Sequence, residues 1–295
     1  MLQETVDDYI AALSAKGDGR VGTNKNTVMA YRNDLGQLSH YIKEQDVEDW
    51  SQVTREHIAN YLLVMREGQA YRPSTIARKL AAFKSFFRYL RKEAIIEGNP
   101  VEEFDSPHIS KEPPQTLSVE QINSLFKQVD AGTIAGQRDL AMLHMLYATG
   151  MRASELVSLQ LHDFNKEQAT IVCPGRNAQT RYERTLPLPP PVVETTVQYL
   201  TKARPRLARH SEEQALFLNH HGECLTRQGF WLIIKGYARQ AGIDEITPHM
   251  LRHSFAMLMI NGGMELRSVQ ELLGHAHIST MQVYNQIAHV KTRNT

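Results

Sequence analysis

Apolar residues recur at helical spacing from Val6 to about Asn99. The stretch TREHIANYLLVMREG opens on Thr54, whose hydroxyl suits an N-cap, and ends before Gly68. STIARKLAAFKSFFRYLRK follows Pro73 and lays Ile76, Leu80, Phe83, Phe87 and Leu90 along one stripe. Residues 100–116, PVEEFDSPHISKEPPQT, carry four prolines and no periodicity, as a linker between domains does. Helical spacing returns at LSVEQINSLFKQV. QRDLAMLHMLYATG predicts a helix stopped by Gly150, and ASELVSLQLHDF predicts another. QATIVCPGRNAQTRYERTLPLP alternates, with β-branched residues around a turn-rich middle, which is the pattern of a hairpin or small sheet. Helices resume at PPVVETTVQYLTKA, RQGFWLIIKGYARQAG, TPHMLRHSFAMLMINGG, ELRSVQELLG and ISTMQVYNQI. The expected architecture is mainly α in two domains. A helical domain covers 1–103, a linker 104–116, and an α+β domain with a small β-sheet or hairpin 117–295.

At 295 residues, 42% hydrophobic and 22% charged, the chain can supply two ordinary globular cores. Its net charge of +1 hides an asymmetry. Within 66–92, Arg66, Arg72, Arg78, Lys79, Lys84, Arg88, Arg91 and Lys92 stand against Glu67 alone. With no acid one turn away to pair with, Lys84, Arg88 and Arg91 form a face suited to phosphates. A second basic run spans 171–209. Screening confines such fields to about 8–10 Å, so a polyanion senses the local stripe and not the total. Two cysteines, Cys173 and Cys224, are too few for a disulfide framework or a zinc cluster, and His220, His221 and Cys224 read as a turn. No run of about 18 apolar residues occurs and no signal-peptide pattern opens the chain. The expectation is a cytoplasmic protein with no membrane partner.

Three polar clusters carry candidate chemistry. In TPHMLRHSFA, Thr247 suits an N-cap and Pro248 the first helical position. His249 and Arg252 follow one turn apart, where free backbone N–H groups, the helix dipole and a guanidinium fork favour a phosphate oxygen. No Glu lies between His249 and His253 as a zinc-protease helix requires, which argues against a metal. In ATGMRASEL, Arg152 sits at the turn after Gly150 with Glu155 three residues on. In LLGHAHISTMQVYNQI, His275 lies just past Gly274 and Tyr284 one turn inside the last helix. Each cluster alone fits an ordinary ion pair, a wet helix face or a half-buried aromatic residue.

Taken in order, Arg152, a basic hairpin, His249 with Arg252, Gly274–His275 and Tyr284 resemble the tyrosine recombinases, in particular their Xer-like and simple integrase branches, over nearly the whole chain. The resemblance implies a SAM-like, DNA-clasping N-terminal domain followed by a catalytic domain. It implies that Tyr284 attacks a DNA phosphodiester, leaving a 3′-phosphotyrosine and a free 5′-hydroxyl. Arg152 and Arg252 would meet the non-bridging oxygens, His249 and His275 would hydrogen-bond the phosphate and assist proton movement, and Glu155 would orient Arg152. No metal or cofactor is implied. The implied partners are double-stranded DNA with paired inverted-repeat half-sites, further copies forming a homo-tetramer on that DNA from free monomers or dimers, and accessory proteins. In relatives the segment after the tyrosine docks on a neighbouring subunit, a contact expected here of Ile287 and Val290.

One departure concerns the leaving group. The family places a lysine on the hairpin to protonate the 5′-oxygen, and PGRNAQTRYERTLPL contains none. Arg176 falls at that place, but an arginine, with a pKa above about 12, is a poor proton donor. Arg181 and Arg184 are its rivals. Either Arg176 stabilises the leaving oxygen electrostatically, or a lysine from elsewhere, such as Lys235, reaches in. The expected DNA contacts are Arg72, Arg78, Lys79, Lys84 and Arg88 in the first domain and Arg181 and Arg184 in the hairpin. Arg227 and Gln228 join them, suited to guanine and adenine edges respectively. A type IB topoisomerase-like enzyme and a non-catalytic DNA-binding regulator are the competing functions.

Overall fold

The computed structural model describes residues 2–15, 25–68, 71–107, 115–175, 183–210 and 212–274. The chain divides into two compact units, 1–111 and 112–295. The first contains helices α1 (Leu2–Ala15), α2 (Lys25–Lys43), α3 (Arg55–Leu63) and α4 (Pro73–Lys92). Thr54 caps α3, accepting from the His57 backbone N–H. The stripe Ile76, Leu80, Phe83, Phe87 and Leu90 of α4 is buried as its spacing predicts. Phe86 joins it and meets Trp50 edge-on at 4.9 Å, while Trp50 Nε1 donates to the Leu2 carbonyl at 3.0 Å.

Lys79 departs from its expected place on a DNA-facing surface. It lies on the apolar side of α4, 2% exposed. Its Nζ donates to Gln37 Oε1 at 2.6 Å, sits 3.2 Å from Asp34 Oδ1 and faces the Tyr71 ring at 5.3 Å. Asp34 is fully buried and also pairs with Arg78. A buried carboxylate is tolerated only with paired charge, so Lys79 serves the core and not a phosphate. The acids missing from the local sequence arrive from other elements: Asp34 on α2, and Glu102, which lies 3.7 Å from Arg91.

The second unit contains α5 (Val119–Lys127), α6 (Ile134–Thr149), α7 (Ala153–Val157), β1 (Phe164–Asn165), β2 (Thr170–Cys173), β3 (Arg184–Pro187), α8 (Pro190–Gln198), α9 (Arg204–Leu207), α10 (Arg227–Gln240), α11 (Pro248–Asn261) and α12 (Leu266–Leu273). The strands form an antiparallel sheet in the order β1-β2-β3, with Ile171 opposite Leu186 and Cys173 opposite Arg184. Ala141, Met142, Leu143, Met145 and Leu146 are all fully buried, so α6 is the axis of the core. ASELVSLQLHDF does not form one helix. α7 ends at Val157, and the Leu159 carbonyl accepts instead from Leu216 N at 2.8 Å. Asp163 then caps a 3₁₀ turn by accepting from Gln160 N at 2.7 Å. Long-range backbone pairing takes the groups a longer helix would have used.

Candidate active site

α6 ends at Gly150 in the left-handed conformation, and the chain restarts as α7 with Arg152 at its N-cap. Glu155 accepts from the Arg152 backbone N–H at 2.7 Å and from its Nη1 at 2.9 Å. Arg184 reaches the same carboxylate from β3, with Nη2 2.8 Å from Oε2 and Nη1 3.3 Å from Oε1. Glu155 is 3% exposed. Burial pushes its carboxyl up, but the bonds from Arg184 and the Arg152 backbone, with both guanidinium charges, outweigh that and hold it at about 2.

α11 begins as its sequence predicts, with Thr247 accepting from Met250 N at 3.2 Å and Pro248 in the first position. Arg252 turns inward. It is 3% exposed and donates Nη1 to the Gly150 carbonyl at 2.6 Å and Nη2 to the Leu273 carbonyl at 2.7 Å.

The end of α12 explains why these side chains converge. Its last carbonyls lack partners within the helix and carry the negative end of the dipole. Leu272 O accepts from Arg184 Nε at 2.8 Å, Leu273 O from Arg252 Nη2 at 2.7 Å, and Gly274 O from Arg152 Nη2 at 3.1 Å. Guanidiniums from β3, α11 and the α6–α7 turn thus meet on three successive carbonyls, with Glu155 between two of them. Such a cluster concentrates positive charge of fixed geometry beside the point where the chain continues into His275.

The remaining expected residues lie as follows. His249 is exposed near the start of α11, and its ring is 6.5 Å from that of His253. Both line a cavity of about 600 Å³ together with Trp231, Lys235 and Asp244. Lys235 Nζ lies 5.0 Å over the Trp231 ring. Burial, then the neighbouring His249 and Arg252, push His253 down to about 4, so it is neutral at physiological pH. Arg227 and Gln228 are exposed in the first turn of α10, and Arg72 and Arg88 are exposed on or beside α4. Lys84 is half-buried. Arg176, Arg181, His275, Tyr284, Ile287 and Val290 lie outside the described residues. Among the described residues, no group of His, Cys, Asp or Glu could hold a metal ion. His221 sits in a turn whose backbone N–H bonds Asn219 Oδ1 at 2.8 Å.

Arg184 requires a correction. Its side chain is 13% exposed and bonds Glu155 and Leu272, so among the described residues it pairs with protein groups and does not lie open on a DNA-facing surface. The two-residue period of a strand places Arg184 on the same inner side as buried Leu186, a signal already present in RTLP. The carbonyl acceptors at Gly150, Leu272, Leu273 and Gly274 are backbone atoms, announced in the sequence only by the two glycines that end their helices.

Residues 115–290 match the phage integrase family, and residues 6–94 match the phage integrase N-terminal SAM-like domain. The chain is 43% identical to a tyrosine recombinase XerC of Herpetosiphon aurantiacus over 97% of this chain and 92% of the relative. It is 37% identical to a tyrosine recombinase XerD of Listeria innocua over 99% of this chain and 97% of the relative. In fold it is similar to a XerH site-specific recombinase bound to a palindromic difH substrate, with a TM-score of 0.74 at 20% identity, covering 99% and 93% of the two chains. A lambda integrase dimer bound to a core site gives a TM-score of 0.71 at 16% identity, covering 94% and 95%. The chain belongs to the phage integrase family.

Proposed function

We propose that the protein is a site-specific DNA recombinase that cuts and rejoins strands through Tyr284. The tyrosine hydroxyl forms a bond to phosphorus, the bond from phosphorus to the 5′-oxygen breaks, and a proton moves from the phenol side to the leaving oxygen. The phosphodiester energy is retained in a 3′-phosphotyrosine, so a 5′-hydroxyl of another strand can reverse the step. Arg152 and Arg252 oppose the charge that builds on the non-bridging oxygens with planar, fork-like donors. His249 and His275 hydrogen-bond the phosphate and relay the proton. Arg176 stabilises the leaving oxygen. Residues 1–103 and 117–295 grip the duplex, and four copies assemble on paired inverted-repeat half-sites in the cytoplasm.

The observation that supports this most is the convergence of Arg152 and Arg252 on adjacent carbonyls, Gly274 and Leu273, at the segment leading to His275 and Tyr284. Similarity to XerC and XerD recombinases over almost the whole chain supports the same reading. The test is a nicked suicide duplex carrying the inverted-repeat site. A covalent adduct with the wild type and none with Tyr284→Phe is expected. Tight binding with no adduct in the wild type would make the protein a DNA-binding regulator. Relaxation of supercoils by a monomer, independent of sequence, would make it a topoisomerase.

A further inference from the structure

Resting on the recombinase reading above, we infer that Arg184 is a positioning residue for strand cleavage, acting through Glu155 and the end of α12 and not on DNA. The guanidinium joins three elements. β3 carries it, its Nη atoms hold both oxygens of Glu155 on α7, and its Nε holds the Leu272 carbonyl on α12. A Cβ on Gly274 would stand 2.9 Å from Arg184 Nη1, so the helix cap and the guanidinium are in close contact.

Glu155 needs this partner. Each of its oxygens accepts one bond from Arg152 and one from Arg184. Among the described residues, the other charged or titratable groups around it are Cys173 on β2 and, near that thiol, Arg252 on α11. Burial, then Glu155 itself, push the Cys173 thiol up to about 12, so it stays neutral and supplies no balancing charge. With Arg184 gone, of the described residues Arg152 alone remains to offset the burial of the carboxylate. The carboxylate then takes up a proton at a higher pH and loosens its hold on Arg152, whose Nη2 bonds the Gly274 carbonyl just past α12. Arg184 therefore sets where Arg152 stands and the pH range over which it stands there.

The test compares Arg184→Ala, Arg184→Lys and Glu155→Gln in single-turnover cleavage of the nicked duplex at saturating protein, across pH, beside DNA affinity as a function of salt. Cleavage by Arg184→Ala should fall about 10–100-fold, as when a group orienting an active-site donor is removed. The loss should deepen as pH falls, because Glu155 then takes up its proton at a higher pH than in the wild type. DNA affinity and its salt slope should match the wild type. Arg184→Lys should recover only part of the rate and part of the pH profile, since it keeps the charge but loses the paired bonds to Glu155. Arg184→Ala combined with Glu155→Gln should cleave no more slowly than the slower single variant. The inference is overturned if Arg184→Ala lowers the salt slope by about one phosphate contact while cleavage at saturation is unchanged. It is overturned equally by an unaltered pH profile with losses that multiply in the double variant. Should Arg184→Ala fail to fold by circular dichroism, Arg184→Lys carries the rate comparison. Acid melting of the wild type and Arg184→Lys needs no DNA, so it tests the Glu155 link even if no adduct ever forms. An acid transition in Arg184→Lys at the wild-type pH would contradict the link.

Discussion

Replacing Gly150 with alanine probes both the packing and the chemistry of the site. Gly150 has φ of 59°, and a Cβ built there would overlap Phe255 Cδ1 and stand 2.8 Å from Leu273 Cδ2. An L-residue held in the left-handed region costs about 1–2 kcal/mol. Forcing a methyl group into a filled core costs about 1–3 kcal/mol more, and Phe255 and Leu273 are both buried members of one cluster. The sum, about 2–5 kcal/mol, lowers the melting temperature of a unit this size by roughly 5–20 °C. Gly236→Ala in α10 is the control, because nothing lies within 4 Å of a Cβ there. It should be neutral or stabilise by about 0.5–1 kcal/mol. The carbonyl of Gly150 also accepts from Arg252 Nη1, so displacing this turn should slow cleavage by the folded fraction. Calorimetry with single-turnover cleavage reads both effects. A Gly150→Ala protein that melts with the wild type would refute the packing argument. Normal cleavage in a destabilised protein would refute the link to Arg252.

Three further outcomes are expected. Arg252→Lys keeps the charge, but one ammonium cannot span the Gly150 and Leu273 carbonyls, so single-turnover cleavage should fall about 10²–10³-fold while the protein still binds DNA. Lys79→Met strips a partner from buried Asp34 and should destabilise the first unit by about 3–5 kcal/mol in denaturant melts. It should leave the salt dependence of DNA binding unchanged, whereas Arg88→Ala should reduce that slope by about 0.9 without affecting the melt. Glu155 has a folded pKa depressed from 4.5 to about 2, so its contribution is complete above 4.5 and is lost as pH falls toward 2. That contribution is about 3 kcal/mol at neutral pH, and an acid titration by circular dichroism should show it in the wild type and not in Glu155→Gln.

Much of this molecule is legible in its sequence where local chemistry and tertiary demand agree. The α4 stripe, the stop at Gly150 and the Thr247–Pro248 start of α11 all appear where spacing and capping residues place them. For Lys79, position outweighs charge. It stands on the buried side of α4, and its acid comes from α2, 45 positions away in sequence at Asp34. The same holds for Arg184, which the period of β3 turns inward with Leu186. The break after α7 has no local signature, since its cause is the bond from Leu216 to Leu159. Nor do side-chain patterns reveal that three arginines share the carbonyls ending α12, because backbone acceptors look alike in every helix.

The most direct test of the proposed chemistry is the identity of the covalent bond in the trapped complex. Digesting the adduct and sequencing the nucleotide-bearing peptide should find Tyr284 joined to a 3′-phosphoryl end, with a free 5′-hydroxyl on the released strand. Attachment through a 5′-phosphoryl end, or to any residue other than Tyr284, would contradict it.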